Sequence, residues 1–334
     1  MIISKTPLRV SLLGGGTDYP EFVNRYGGSV LGGTIDKYIY LTANKLSSVS
    51  RENLRLCYRS VESVEKVDDI THPIFREYLK NVAFQGRYAF YTVSDIPGNS
   101  GLGSSSSFTI GLIKLIDEIN GSHRSRKNLA KTAIHLEREI LCEQVGYQDQ
   151  YHAAFGGFTR YNFSKSDVEL QECNWTVDDY KLLNSQVCLI STGIFRDAKA
   201  VLKQQKIDNS DLSKDDYLQN MLKFVDEGYA LIKDGLTETK IRDLGALVKE
   251  SWEHKKKLSK SISNNKIDEL IEIGLGEGAK GAKLLGAGAG GFILFIGDIS
   301  FQRKIRALVQ PKYILDLNFQ PQGSTIYNMG LSNE

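Results

Sequence analysis

Residues 97–107 read PGNSGLGSSSS, between RYAFYTVS (Arg87–Ser94) and FTIGLIKLIDEI (Phe108–Ile119). The upstream segment is rich in β-branched and aromatic residues, which is a strand signal. Downstream, Phe108, Leu112, Leu115 and Ile119 recur at spacings of four, three and four, so an amphipathic helix is predicted to open near Ser104. Glycines let backbone N–H groups approach a ligand closely because no Cβ intervenes. The first-turn N–H groups of a helix lack intrahelical partners and sit at the positive end of its dipole, a ready site for a polyanion such as triphosphate. The hydroxyls of Ser104–Ser107 add donors or reach a magnesium ion. A bare glycine/serine turn would carry little meaning; the strand–GLGSSSS–helix context favours phosphate binding.

Two competing nucleotide motifs fail. No GxxxxGK[ST] pattern exists, which argues against a P-loop enzyme. GAGAGG (Gly286–Gly291) resembles a dinucleotide fingerprint, but it precedes the strand-like FILFI instead of linking a first strand to a helix.

The rest of the chain sets boundaries on function. Its 334 residues, 41% hydrophobic, can bury a substantial core, and two domains or one large one are expected. A net charge of +2 provides no general field for nucleic acid or an anionic membrane, so an anion site must come from particular loops. Cys57, Cys142, Cys173 and Cys188 form no CxxC pair, which reads as free thiols in a reducing compartment. The histidines show no zinc-ligand spacing. With no long apolar run and no leader-like N-terminus, the expectation is a cytoplasmic protein with neither a membrane nor a nucleic-acid partner. Homo-oligomerisation stays open.

Strands are expected at Ile2–Lys5, Leu8–Leu13, Thr34–Lys45, Leu54–Arg59 and Arg87–Ser94, then at Phe158–Phe163 and Val168–Cys173. A second helix carries Leu129, Ala133, Leu136 and Ile140 on one face, and GYQDQYHAAFGG (Gly146–Gly157) breaks the pattern. Gln186–Ser191 reads as a strand, followed by charged amphipathic helix between Asp197 and Leu258, the strand Phe292–Ile296, a helix, and strands at Tyr313–Asn318 and Thr325–Met329. The change of texture near residue 185 suggests domains at 1–185 and 186–334. His254–Lys257 reads as a solvated helix face. Phe84, Tyr88, Phe90 and Tyr91 read as core or adenine-pocket wall, with core favoured.

Three segments, TPLRVSLLGGGTD (Thr6–Asp18), PGNSGLGSSSS and KLLGAGAGG (Lys283–Gly291), occur in an order and at positions that resemble the three motifs of the GHMP kinases. The resemblance runs along nearly the whole chain. Asn99 stands where a glycine is frequent, but Gly101 and Gly103 remain. It implies an α+β two-domain fold, with a ribosomal-protein-S5-like N-terminal domain, a ferredoxin-like C-terminal domain and the active site between them. It also implies an ATP- and Mg2+-dependent phosphotransferase acting on a small molecule. GGGTD in place of the galactokinase-like GEHTD, together with GYQDQY and STGIFRDA, resembles the branch acting on heptose phosphates. That branch implies phosphorylation of the anomeric hydroxyl of D-glycero-D-manno-heptose 7-phosphate to the 1,7-bisphosphate, in nucleotide-activated heptose biosynthesis for surface polysaccharide. Another GHMP substrate, such as fucose, a galactose-like sugar or a mevalonate derivative, and a non-catalytic ligand-binding homologue are the alternatives.

Site residues carry over on the same basis. Asp149, on residue type alone a turn or helix-cap aspartate, matches the catalytic aspartate that aligns or accepts the hydroxyl proton. Arg9 matches a motif cation that would stabilise charge on the transferred group. Pro97, Gly98, Ser100, Gly101, Leu102, Gly103, Ser104, Ser105 and Ser106 would hold the nucleotide. Glu137 and Ser105 would ligate magnesium, with Glu139 and Glu143 as rivals. The acceptor would meet Gly16, Thr17 and Asp18, then Gly286, Gly288 and Gly290, and Thr192 and Arg196, with Arg196 and Lys199 toward a phosphate on it. His152 reads as a core or supporting histidine.

Overall fold

The computed structural model describes residues 1–194 and 214–329. Strands β1 (Ile2–Leu13), β2 (Gly28–Lys45), β3 (Leu54–Cys57), β4 (Val61–Val64), β5 (Tyr88–Ser94), β6 (Phe158–Phe163) and β7 (Val168–Glu172) belong to one sheet. A second sheet contains β8 (Val187–Ser191), β9 (Gly281–Leu284), β10 (Phe292–Ile296) and β11 (Ile314–Leu315). The last strand, β12 (Thr325–Asn328), returns to the first sheet and pairs with β1, so that sheet runs β12-β1-β2-β5-β3-β4, with β6 on β2 and β7 on β6. β2 is long enough to serve two neighbours: Gly28–Gly33 pairs β6 and Ile39–Lys45 pairs β5.

Among the described residues the helices are α1 (Pro20–Tyr26), α2 (Pro73–Asn81), α3 (Ser104–Ile119), α4 (Arg126–His135), α5 (Gln148–Phe155), α6 (Val177–Ser185), α7 (Asp215–Ile232), α8 (Glu238–Leu258), α9 (Asn265–Gly276) and α10 (Ile299–Leu308). α3 lies against β1 and β2 and buries Phe108, Leu112 and Leu115, the periodic residues that announced it. In the second sheet the order β11-β8-β10-β9 is that of a ferredoxin-like βαββαβ unit, with α10 returning the chain to β11.

Several expectations need correction. The two strands at the N-terminus are one, because a register shift between Pro7 and Arg9 absorbs the proline without ending the pairing. β2 starts at Gly28, six residues before the expected Thr34. GYQDQYHAAFGG is not merely a break: Gln148–Phe155 forms α5, ended by Gly156 at φ +79°. The charged helical stretch is divided at Lys233–Thr237 into α7 and α8, and its start at 195–213 lies outside the described residues. Phe84 and Phe90 are core, whereas Tyr91 is exposed.

Candidate active site

β1 is buried on both faces from Thr6 to Leu13, and its side chains alternate between them. Leu8, Val10 and Leu12 enter the core, while Arg9 and Ser11 face a cleft where the two sheets' loops meet. The Arg9 guanidinium grips Asp149 with both prongs, Nε to Oδ1 and Nη2 to Oδ2 at 2.8 Å each. Its third nitrogen, Nη1, donates to the Gly101 carbonyl at 2.6 Å. This fork fixes the aspartate's plane and position as no single-point cation would. Asp149 lies in the first turn of α5 and its side chain keeps 25% of its exposure, so one edge stays open to the cleft.

The glycine/serine loop wraps the same pair. Gly103 caps α3 in the left-handed region without a side-chain cap, leaving the first-turn N–H groups of Ser104–Ser106 free of capping partners. A Cβ at Gly103 would stand 3.2 Å from Arg9 Cγ and 3.3 Å from Asp149 Oδ2, so a side chain would crowd the pair. Gly103, Ser104, Ser105 and Ser106 line the cleft, as do Gly16, Asp18, Gly101 and Gly286. The cleft encloses about 1080 Å³ of space, its open mouth included.

Asp18 is buried and accepts from Gly16 N at 3.1 Å and Gln148 N at 3.2 Å. Burial, then the Asp149 charge, raises its carboxyl above the usual range. Behind the serines, Glu137 is fully buried in a π-helical turn, Leu136–Ile140, and not at the solvated edge of a helix. Its Oε2 accepts from Ser106 Oγ at 3.0 Å and from Gln150 Nε2, while Oε1 is buried without a hydrogen bond. Thr109 lies beside this carboxyl, but its hydroxyl proton goes to the Ser105 carbonyl. Burial pushes the Glu137 carboxyl up to about 7. The serine against Glu137 is therefore Ser106; Ser105 is exposed at the cleft.

Other expected residues are not brought to the cleft. Thr17 is buried and its hydroxyl is committed to the carbonyls of Gly14 and Ser29 at 2.9 and 2.8 Å, which shapes the GGGTD turn and leaves nothing for a ligand. Thr192 is likewise spent on the Gly291 carbonyl. Gly288 and Gly290 pack their backbones on Ile262 and Ile194, where a Cβ would come within 2.8 and 2.4 Å. Ser100 and Leu102 are buried beneath the loop, and Pro97 and Gly98 are exposed beside it. Arg196 and Lys199 lie outside the described residues.

Among the cleft residues that escaped the sequence reading are the polar side chains of Ser11, Gln148, Lys255 and Lys283. Lys255 overturns the reading of His254–Lys257 as a solvated face. It is 8% exposed, in phase with Val248, Trp252 and Leu258 on the buried side of α8. That 3.6-residue phase was the available signal. Its Nζ donates to the Gly286 carbonyl at 2.8 Å, and burial pulls its ammonium down to about 8. Lys283 Nζ donates to the Leu12 carbonyl at 2.8 Å, and burial lowers it well below an ordinary lysine.

His152 is fully buried against Tyr161, with neither ring nitrogen hydrogen-bonded. Burial, then the Arg9 charge, holds its imidazole down at about 3. Between that value and 6.5 the unfolded chain binds a proton that the folded chain refuses, so stability is lost as pH falls through this window. The loss from this residue is expected to be about 1.4 kcal/mol per pH unit. Urea unfolding of His152→Phe at pH 7 and 5.5 should show a shallower pH slope than wild type. Equal slopes would mean that the histidine is not held neutral.

Residues 69–157 match the model for the GHMP kinases N terminal domain, and residues 232–310 match GHMP kinases C terminal. A D-glycero-alpha-D-manno-heptose 7-phosphate kinase of Campylobacter jejuni is 31% identical, over 96% of this chain and 97% of that protein. The chain belongs to the GHMP kinases. A galactokinase of Thermococcus kodakarensis is 24% identical over 86% of each chain. Among solved structures, a D-glycero-D-manno-heptose 1-phosphate kinase from Bacteroides thetaiotaomicron superposes with a TM-score of 0.73 at 23% identity, covering 98% of this chain and 99% of that one, which establishes the common fold. This GHMP kinase is thus a phosphotransferase of the sugar-kinase kind. Among the described residues no helix is long and apolar enough to cross a membrane.

Proposed function

We propose that this GHMP kinase transfers the γ-phosphoryl group of ATP, with Mg2+, to the anomeric hydroxyl of D-glycero-D-manno-heptose 7-phosphate, giving the 1,7-bisphosphate. The observation that carries the reading is the Arg9–Asp149 pair beside the open N-terminus of α3. The 31% identity to the Campylobacter jejuni heptose 7-phosphate kinase supports the choice of acceptor.

In this reading the triphosphate lies on the N–H groups of Ser104–Ser106, where donors and helix dipole favour an anion. Asp149 aligns the acceptor hydroxyl and takes its proton as the new O–P bond forms and the bond to the ADP oxygen breaks. Arg9 holds that carboxylate in place and adds positive charge near the transferred group. Asp18 can accept hydrogen bonds from sugar hydroxyls. The buried Glu137 carboxyl fits a divalent cation, because its free Oε1 lacks the hydrogen bond a buried carboxylate requires. Glu137 would hold the metal with a serine of the loop, and the metal would neutralise charge on the triphosphate. Glu137→Gln is accordingly expected to raise the Mg2+ concentration for half-maximal turnover by about 10- to 100-fold. An unchanged magnesium titration would remove Glu137 from this role.

Coupled ATP-consumption assays over a panel of sugars and sugar phosphates test the whole proposal. Magnesium-dependent turnover with the heptose 7-phosphate, exceeding that with galactose, fucose and mevalonate, is the expected result. Preference for any of those three would transfer the assignment to that substrate.

A further inference from the structure

The space above Gly15 is surrounded by hydrogen-bond donors that the phosphoryl transfer described above does not use. A Cβ built on Gly15 would lie 3.5 Å from Ser11 Oγ, 3.8 Å from Gln148 Nε2 and 3.8 Å from Lys255 Nζ. Three side chains from β1, α5 and α8 therefore converge on one point of the cleft wall. All are at least nine-tenths buried, with exposures of 6%, 9% and 8% respectively. Ser11 Oγ is buried without a hydrogen-bond partner, and so is Gln148 Oε1, whose amide is otherwise positioned by α5. Such groups are costly when left unmet in a protein interior.

The charge around this point is unbalanced in the same direction. Arg9 is paired with Asp149 through its fork. Lys255 spends one of its three donors on the Gly286 carbonyl, and Lys283, another lysine in the cleft, spends one on the Leu12 carbonyl. Lys255 has the Asp18 and Asp149 carboxylates near it as well as Arg9, whereas the charges that act on Lys283 are those of two cations, Lys255 and Arg9. Two buried ammonium groups near each other, with the partnerless Ser11 hydroxyl and the Gln148 Nε2 donor facing the same point, form a site for a compact anion bearing several oxygens.

Its location identifies which anion. Ser11 lies two residues along β1 from Arg9, so the point is about 6.6 Å further along the strand from the Asp149 end of the cleft. The nucleotide loop is reached from both ends of this wall, by Arg9 at the Gly101 carbonyl and by Lys255 at Gly286, which packs on Gly101. An anion over Gly15 is thus displaced along β1 from the Arg9–Asp149 pair, with Asp18 alongside.

We propose that Ser11, Gln148 and Lys255, supported by Lys283, form the subsite for the phosphate that the acceptor already carries. The proposal rests on the reading of the acceptor as a sugar phosphate and assigns its recognition to this wall. The subsite selects substrates that are phosphorylated at the end remote from the reacting hydroxyl.

Gly15→Ala gives a direct test. Gly15 has no positive φ and the three neighbours stand at ordinary contact distance, so alanine fits the fold while its methyl group occupies the anion's place. Lys255→Met removes the charge and keeps the length. For each variant, kcat/KM is measured with heptose 7-phosphate and with the unphosphorylated heptose, and the ratio of the two is compared with wild type. The expected result is a fall of about 10- to 100-fold in that ratio, the effect of losing charge-assisted hydrogen bonds, borne mainly by KM for the phosphorylated acceptor. An equal loss on both acceptors, carried by kcat, would show that Lys255 acts on the phosphoryl in flight or on the fold, and would overturn the subsite. Titration of the nucleotide-loaded protein with inorganic phosphate separates this result from a wrong choice of substrate. Phosphate binding that is weakened in Gly15→Ala and Lys255→Met supports the subsite even if wild type turns over no heptose phosphate. Phosphate affinity that is identical in all three proteins overturns it.

Discussion

Asp149→Asn should leave a folded protein that binds ATP and turns over roughly 10³-fold more slowly, the scale of effect of a positioned proton acceptor. The substitution preserves size and planarity, so α5 and the glycine loop keep their places. It removes the negative charge from the Arg9 fork and the lone pair that would receive the acceptor's proton. The loss should therefore appear in kcat, with KM for ATP close to wild type, because the nucleotide is held mainly by the N-terminus of α3. Arg9→Lys should lower kcat in the same direction, since an ammonium cannot span both carboxylate oxygens and Gly101 O together. Single-turnover kinetics on the two variants will decide the matter. An Asp149→Asn enzyme with wild-type kcat would remove the aspartate from the reaction.

The second large effect concerns the meeting of two glycine loops. Gly286 has φ +76°, and a Cβ there would lie 2.5 Å from Gly101 Cα; a Cβ on Gly101 would lie 2.6 Å from Leu285 O. Backbone touches backbone at this point, so no flexible side chain can yield. Gly286→Ala is expected to destabilise the fold by about 2–5 kcal/mol, combining a left-handed residue with a Cβ and an overpacked contact. Because Gly101 also receives Arg9 Nη1, relief of the clash should displace the Arg9–Asp149 pair and lower kcat/KM as well. Gly278→Ala is the control: its φ is +112° but nothing lies within 4 Å of the new methyl, so it should show strain without loss of turnover. Equal damage in both variants would assign the effect to backbone strain alone and remove the loop contact from the explanation.

What could be read from sequence was whatever depends on neighbours in the chain. The α3 start and the strands Phe158–Phe163 and Phe292–Ile296 came from periodicity and turn chemistry, and all were found where expected. α5 was missed because its eight residues are bracketed by glycines at Gly146, Gly156 and Gly157, which punctuate more strongly than a two-turn helix can signal. Lys255 was hidden by composition: a lysine in HKKK reads as solvated unless its phase with Trp252 is weighed above its charge. Ser11 and Gln148 gave no local signal at all. They become a pair only because β1 and α5 are brought together across the cleft. Thr17 misled in the opposite way, since a hydroxyl in a glycine-rich motif looks available until its two carbonyl partners are seen.

The pairing of β12 with β1 has a consequence for how the protein is made. Ile2 sits opposite Asn328 and Lys5 opposite Thr325, while Thr6 Oγ and Ser324 Oγ are 2.8 Å apart. The strand that bears Arg9 is thus synthesised well before the partner that covers its edge. Until residues near 328 leave the ribosome, one side of β1 is an open edge, with backbone groups able to recruit any passing strand. Closing it requires contacts between the two extremes of the described chain, the slowest kind to form. The newborn chain should therefore spend its most aggregation-prone interval with its nucleotide loop already translated and its first sheet unfinished, and it is during that interval that a chaperone would matter most.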